Sequence, residues 1–250
     1  MPLPCEFLEW DTNFFGLRIA RVSKNRLTID RIREINDWCL ERNIKCAYFL
    51  APLDHRETIR LAEENGFRLM DVRITFEILC SDIDETFIDN EPRALIRSVV
   101  AEDINPLKDV SREIFKCTRF YFDTKFPRDR VRAMYEVWLE KSCRSSADSV
   151  FVAEIDDAPV GYITCHLDES NKSGNVGLIG VALKYQGTGI GRKLIQHALR
   201  WYSESKVQRV TIVTQGRNIE AQMLFQRCGF RTRDVRLWFH KWFANGGGNK

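Results

Sequence analysis

Gln186-Gly187-Thr188-Gly189-Ile190-Gly191 is the stretch of this chain in which residue type and spacing point to chemistry. An apolar run over Asn175–Leu183 leads towards it, and apolar positions at Ile190, Leu194, Ile195, Ala198 and Trp201 follow at helical spacing. A strand therefore feeds a loop of small residues at the start of a helix. Backbone N–H groups there lack intrahelical acceptors, and together with the helix dipole they favour an anion. Glycine lets a pyrophosphate approach the backbone because no Cβ stands in the way. Two nucleotide-binding loops are excluded by what is missing. A dinucleotide site wants an acid at the end of the next strand, and Val210-Thr211-Ile212-Val213-Thr214-Gln215 has none. A P-loop wants Gly-Lys-Ser/Thr, which is absent.

A second signature follows one helix and one strand later, in Asn218-Ile219-Glu220-Ala221-Gln222-Met223-Leu224-Phe225-Gln226-Arg227-Cys228-Gly229-Phe230. With Val181-x-x-x-Tyr185-Gln186-Gly187 before the loop, it resembles the GNAT superfamily of acyl-CoA N-acyltransferases. That family's loop has the form Gln/Arg-x-x-Gly-x-Gly/Ala, matched by Gln186, Gly189 and Gly191, and its next signature is Asn-x-x-Ala-x-x-x-Tyr-x-x-x-Gly-Phe. Leu183 stands where proline is common. The resemblance covers roughly residues 93–242 and, in degraded form, the N-terminal part.

The resemblance implies an α/β fold of tandem GNAT-like units. Each is expected to be a mixed, mostly antiparallel sheet flanked by helices, the first unit degenerate. It implies acetyl-CoA as co-substrate, with no metal. Backbone groups of Ile179 and Val181 on a splayed strand would pair with pantetheine, and an N–H there would polarise the thioester carbonyl. Gln186, Gly187, Thr188, Gly189, Ile190 and Gly191 would hold the pyrophosphate. Asn218 would bond near the acetyl end, or cap the helix that follows, or both. The family's usual proton-transfer positions are vacated: Gly177 stands where many members have glutamate, and Phe225 where many have the tyrosine acid. The catalytic residue is therefore unknown, with His166 and Asn218 as candidates. Histidine is the residue type most often used as a general base near neutral pH, but His166 also reads as a surface residue beside Asp168 and Glu169. His197, on the Lys193/Arg200 helix face, reads as solvated.

Two-unit members that acetylate the 4-amino group of a dTDP-linked 4-amino-4,6-dideoxyhexose are similar to this chain in shorter segments. These are Glu9-Trp10-Asp11-Thr12-Asn13-Phe14-Phe15, Arg119-Phe120-Tyr121-Phe122-Asp123, Val213-Thr214-Gln215 with Asn218, and Leu237-Trp238. On this resemblance Arg119, Tyr121, Asp123 and Gln215 would bind the acceptor, although for Arg119, Tyr121 and Asp123 a structural role is as open. The expected reaction is direct acetyl transfer to a nucleotide-linked amino sugar. The expected partner is that small-molecule amine, with no nucleic acid and no membrane, and a homodimer is the one assembly entertained. Rival readings change the acceptor to a protein N-terminus, polyamine or antibiotic, or make the chain a non-catalytic acyl-CoA sensor.

The elements that must position these residues are legible in outline. Residues 27–43 and 55–65 read as amphipathic helices with a strand at 45–51 between them. A strand at 94–99 and helices at 102–115 and 128–144 follow, then strands at 149–156, 159–168 and 175–183. Helix 191–205, strand 210–214, helix 218–227 and strands over 230–243 end the pattern. GFRLMDVRITF (residues 66–76) and GFRTRDVRLWF (residues 229–239) agree at seven of eleven positions, 163 residues apart. In each copy a helix is expected to run through Gly-Phe into a strand pair, which marks a duplicated unit. Ser81–Pro92, with five acids and no base, reads as a linker. The expected division is a degenerate unit at 1–80, the linker at 81–92, an acetyl-CoA-binding unit at 93–244 and a flexible tail at 245–250. The first unit has only Gly16 and Gly66, so a fragment beginning near Glu91 is expected to retain the whole cofactor site.

Composition agrees with a soluble globular chain of 250 residues, 44% apolar and 29% charged, and not with a collagen-like or disordered one. Residues 1–90 carry a net charge of −5 and the remainder +8, which places the basic excess with the anion-binding loop. The eight scattered cysteines contain no C-x-x-C and read as free thiols in a reducing compartment. The N-terminus has no visible secretory signal, so the expected location is the cytoplasm.

Overall fold

The computed structural model describes residues 3–83 and 94–244. The expected linker, beyond Ile83, and the expected tail at 245–250 lie outside the described residues. Chain order is β1 (Cys5–Phe7), α1 (Glu9–Phe15), β2 (Ile19–Val22), α2 (Ile29–Glu41), β3 (Cys46–Pro52), α3 (Arg56–Glu64) and β4 (Arg68–Leu79). Then come β5 (Leu95–Ser98), α4 (Ile104–Ile114), α5 (Arg119–Phe122), α6 (Arg128–Lys141), β6 (Ser149–Ile155), β7 (Ala158–Asp168) and β8 (Ser173–Val181). The last four are α7 (Ile190–Glu204), β9 (Arg209–Gln215), α8 (Ile219–Arg227) and β10 (Arg231–Trp242).

The helices form where the apolar stripe and caps predict them. In α2, Ile32, Ile35, Trp38 and Cys39 are buried on one face, and Thr28 caps the start by accepting from the Arg31 N–H. In α7 the buried stripe is Ile190, Leu194, Ile195, Ala198, Leu199 and Tyr202. The short α1 and α5 carry no long periodic stripe, and the sequence did not predict them.

Two expectations about the sheet need correction. The strands form one ten-stranded sheet in the order β1-β2-β3-β10-β4-β9-β8-β7-β6-β5, rather than two separate sheets. And each Gly-Phe motif opens a single twelve-residue strand, not a strand pair, because no turn residue interrupts either run. The C-terminal β10 inserts between β3 and β4 of the first half. In return β4 pairs with β9 of the second half.

This exchange is symmetric. The bounds of β3, α3 and β4 differ from those of β9, α8 and β10 by the same 163 residues throughout. In the β4–β10 ladder Arg73 faces Arg236, its own counterpart, while Val72 faces Leu237 and Ile74 faces Val235. An approximate twofold axis therefore passes between Arg73 and Arg236. Its consequence for packing is reciprocal: Phe76 and Ile78 of β4 belong to the core beneath α7, with Leu194, Ile195 and Phe225. Leu237 and Phe239 of β10 belong to the core beneath α2, with Ile32, Ile35 and Leu61. The opposite face of the sheet carries α1, α5 and α6 through a cluster containing Phe15, Tyr48, Phe120, Phe126 and Met134. No helix among the described residues is long and apolar enough to cross a membrane.

Because β4 lies between β9 and β10, the second half alone lacks the strand that joins its two ends. Phe76 and Ile78 together contribute on the order of 3–6 kcal/mol of burial to its core. A fragment beginning at Ala94 is therefore expected to be insoluble or molten rather than to keep a cofactor site. Co-expression of residues 1–83 as a separate chain should rescue it. Soluble, cooperatively melting 94–250 without that partner would contradict the exchange.

Candidate functional site

The centre of the candidate site is a gap between two parallel strands. β8 pairs with β9 from Ser173↔Arg209 to Val176↔Ile212 and no further, while the rest of β8 continues along β7. Beyond Val176, β9 stays with β4. The separation begins at a bulge, where β8 carries one extra residue at Gly177–Leu178 opposite Thr164, whose Oγ1 accepts from the Leu178 N–H at 2.8 Å. Ladder phase decides which backbone groups face the gap. Ala182 N–H donates to Val160 O at 2.8 Å, so Ala182 and Gly180 lie on hydrogen-bonded rungs with β7. Ile179 and Val181 fall on the alternate rungs and direct their N–H and C=O groups away from β7, into the gap. The side-chain amide of Gln186 donates to Val181 O at 3.0 Å.

The glycine loop closes one end of this gap. Gly187 and Gly189 have φ of +77° and +89°, a backbone region that favours glycine, and a Cβ built on either meets nothing within 4 Å. Conformation and open approach, rather than crowding, are what glycine supplies there. Thr188 Oγ1 donates to Tyr185 O at 2.7 Å and tightens the turn. α7 has no side-chain cap, and its first intrahelical bond runs from Lys193 N–H to Gly189 O. The N–H groups of Ile190 and Gly191 thus precede the ladder. Gly191 also permits close helix packing, since a Cβ there would stand 3.0 Å from Leu224 Cδ2. These features fit a pyrophosphate at the loop and an extended amide chain along β8.

Asn218 caps α8, its Oδ1 accepting from Ala221 N–H at 3.2 Å. Phe225 is 1% exposed and packs edge-on against Phe76, so the family's acid position holds a core ring with no proton to give. Gly177 and His166 belong together: a Cβ on Gly177 would lie 2.5 Å from His166 Nε2. The imidazole occupies the space that a side chain at 177 would need. His166 is half-buried rather than a solvated surface residue. His197 is also half-buried, edge-on to Phe151, which corrects its solvated reading.

The proposed acceptor residues separate into two kinds. Asp123 is 4% exposed, and its Oδ2 receives His240 Nδ1 at 2.7 Å and Trp242 Nε1 at 2.8 Å, so it is consumed inside the fold. Arg119 lies over the rings of Tyr48, Phe120 and Trp238 and bonds His240 Nε2 at 2.9 Å. Both hold α5 onto β3 and β10. Neither is free to orient an amine. Tyr121 stays half-buried at the edge of a small cavity with Phe115 and Tyr135, and Gln215 ends β9 at the gap. Sequence reasoning did not single out Asp71, which is buried beside Arg217 at 3.3 Å. Burial raises its pKa to about 6 despite that guanidinium. Its one sequence signal is the repeated Asp-Val-Arg triplet.

Burial lowers the pKa of His240 to about 4, although Asp123 opposes the shift. A neutral ring donating from Nδ1 to Asp123 and accepting from Arg119 at Nε2 satisfies all three groups. Burial pushes the Asp123 carboxyl up, but donation from His240, Trp242 and the Lys125 N–H outweighs it and holds the group below the usual range. A histidine with a depressed native pKa loses stability as pH falls from its unfolded value near 6.5 towards 4. By pH 4 the loss is expected to reach roughly 3 kcal/mol. Urea midpoints measured from pH 7.5 to 4 should fall over that window. In His240→Gln that component of the slope should vanish; an unchanged slope would refute the assignment.

Comparison with known proteins agrees with this geometry. The Acetyltransferase (GNAT) family model matches residues 108–230. An uncharacterised N-acetyltransferase of Archaeoglobus fulgidus is 32% identical over 107 residues, covering 41% of this chain and 71% of that protein. The spore coat polysaccharide biosynthesis protein SpsD of Bacillus subtilis is 23% identical over 56% of this chain, which spans about half of that longer relative, 48%. A tandem GNAT protein from the clavulanic acid biosynthesis pathway shares the fold over 94% of this chain and 77% of its own, with a TM-score of 0.66 at 14% identity. The splayed strands, the glycine loop at a helix start and the archaeal relative lead to one conclusion: this chain belongs to the GNAT acetyltransferase family.

Proposed function

We propose that the chain is an acetyl-CoA-dependent N-acetyltransferase whose acceptor is the amine of a nucleotide-linked amino sugar. The observation that carries the reading is the gap between β8 and β9, bounded by the outward backbone groups of Ile179 and Val181 and by the glycine loop. The N–H groups of Ile190 and Gly191 would hold the pyrophosphate, and Ile179 and Val181 would pair with the pantetheine amides. When bound, acetyl-CoA supplies an activated acyl thioester. A backbone N–H of the splayed segment would donate to the carbonyl oxygen as it gains negative charge. The acceptor class is supported by the short segments shared with TDP-fucosamine acetyltransferase, which acetylates such a sugar, and by the polysaccharide-biosynthesis name of SpsD.

His166 is the proposed base. Glycine at 177 leaves room for its imidazole next to the bulge that starts the gap. The family's glutamate approaches the amine from β8; here the equivalent group would come from β7. Phe225 offers no acid, which the chemistry tolerates. A thiol with a reference pKa of about 8.5 leaves acceptably as thiolate near neutral pH, and water can reprotonate it. The vacated positions Gly177 and Phe225 also favour a second reading, a non-catalytic acyl-CoA sensor on the same fold.

Calorimetry and CoA release separate these readings. Gly189→Asp, which puts a carboxylate at the pyrophosphate position, should weaken acetyl-CoA binding at least tenfold, about 1.4 kcal/mol. Unchanged affinity in the folded variant would refute the loop assignment. CoA release across dTDP-, UDP- and GDP-linked amino sugars, polyamines and peptides should show turnover on the nucleotide-linked class. Tight acetyl-CoA binding with no turnover on any amine would select the sensor. His166→Ala should lower kcat by about 10²–10⁴-fold, with little effect on acetyl-CoA affinity.

A further inference from the structure

The twofold axis gives the first half its own splayed pair. β2 and β3 run parallel from Ile19↔Cys46 to Arg21↔Tyr48 and then part, while β3 continues along β10 alone. The segment from Ser23 to Thr28, which corresponds to the glycine loop, has no glycine. In its place are Lys24 and Arg26. This cleft opens into a groove of about 890 Å³ that crosses the axis on the sheet face carrying α1, α5 and α6.

The charges in that groove are arranged at a cost. Arg73 and Arg236 face each other across one rung, and like charges directly opposite destabilise a sheet. Arg236 has Asp234 at 2.7 Å. Arg73 bonds the Thr75 hydroxyl at 2.8 Å, and among the described residues no carboxylate makes an ion pair with it. Burial, with Arg236 adding to it and Asp234 opposing it, lowers the pKa of Arg73. Lys24, Arg21 and Arg233 line the same groove, Arg21 paired with Glu6 and Arg233 with Glu77. Trp238 adds an aromatic wall. Two guanidiniums that face each other at the centre of a sheet and have the single carboxylate of Asp234 between them fit a ligand that brings two negative charges of its own. Guanidiniums bind phosphate oxygens in a planar, two-pronged fashion, which a diphosphate can satisfy on both sides of the axis.

We propose that the groove binds the diphosphate of a nucleoside diphosphate, with Arg73 and Arg236 as its central donors and the cleft of the first half as its outer wall. The ligand's identity as acceptor substrate rests on the proposed function; its binding does not. The sheet supplies the path between the two sites. Arg73 is the register partner of Gln215 on β9, one strand spacing of about 4.8 Å away. Thr211, which lines the groove, bonds Asn175 Nδ2 at 3.1 Å, and Asn175 is the register partner of His166. From Thr211 at the groove's edge the imidazole's strand is two spacings away, about 10 Å; from Arg73 it is three, about 14 Å, on a rung four residues further along β4, so the sugar and the reach of the side chains would together have to cover that span.

The test is calorimetric titration of the full chain with dTDP, UDP and inorganic pyrophosphate at low salt, where exposed charges are least screened. Arg73→Gln and Arg236→Gln should each weaken dTDP and UDP binding at least tenfold and leave acetyl-CoA affinity unchanged. Gly189→Asp should do the reverse. Melting curves confirm that each variant is folded, and Arg73→Gln should melt no lower than the parent because it removes a like-charge contact. No binding of any of the three anions by the folded parent would overturn the proposal. So would binding abolished by Gly189→Asp but kept in both arginine variants, which would place the anion in the glycine loop. If dTDP binds in the groove while no nucleotide-linked amine is turned over, the acceptor reading fails and the groove stands. Turnover of such an amine without dTDP binding would overturn the groove alone.

Discussion

β4 and β10 meet antiparallel at the middle of the sheet, and the rest of the molecule is arranged around that ladder. Each strand starts two residues after a glycine with positive φ that follows the preceding helix, and runs for twelve residues without a turn. Because each delivers its phenylalanine, Phe76 or Phe239, to the core of the other half, neither core is complete without the exchange. The arrangement also sets the positions of β3 and β9. These are the outer neighbours of the exchanged pair, and their far edges are where both splayed clefts open.

A twofold scaffold does not make twofold chemistry. Asn218 and its counterpart His55 both cap their helices through a side chain that accepts from the backbone. Phe225 and its counterpart Ala62 are both buried. A glycine loop, in contrast, precedes α7 and not α2. The first half fills the corresponding place with Lys24, Asn25 and Arg26, and it turns Tyr48 towards Arg119 and His240. That stacked, hydrogen-bonded network ties α5 to β10. It also explains why two residues that look like ligands, Arg119 and Asp123, serve as framework.

The local signatures were legible because backbone geometry dictates them: a glycine loop, a helix cap and a Gly-Phe junction each need certain residue types at fixed spacing. Helix periodicity placed α2, α3, α4, α6, α7 and α8 for the same reason. The exchange was not legible, since a strand pattern specifies which face is buried but not which neighbour it pairs with. The repeat of Asp-Val-Arg announced a duplication without announcing that the copies pair with each other. Between a binding and a structural role for Asp123 no local pattern decides, because its burial depends on His240, 117 residues away. His166 could be weighed only as a surface histidine or a base. The vacancy at Gly177 that makes room for it depends on a bulge, which no residue pattern in β8 reveals.

The central claim is an asymmetry: one of two symmetry-related clefts takes the acyl thioester. Amide hydrogen exchange of the full chain with and without acetyl-CoA tests it most directly. Protection should appear at Ile179, Val181 and residues 187–191, and at the start of α8, with no change over residues 22–28 or the start of α2. Protection in the first cleft, or none around the glycine loop at saturating acetyl-CoA, would contradict the claim.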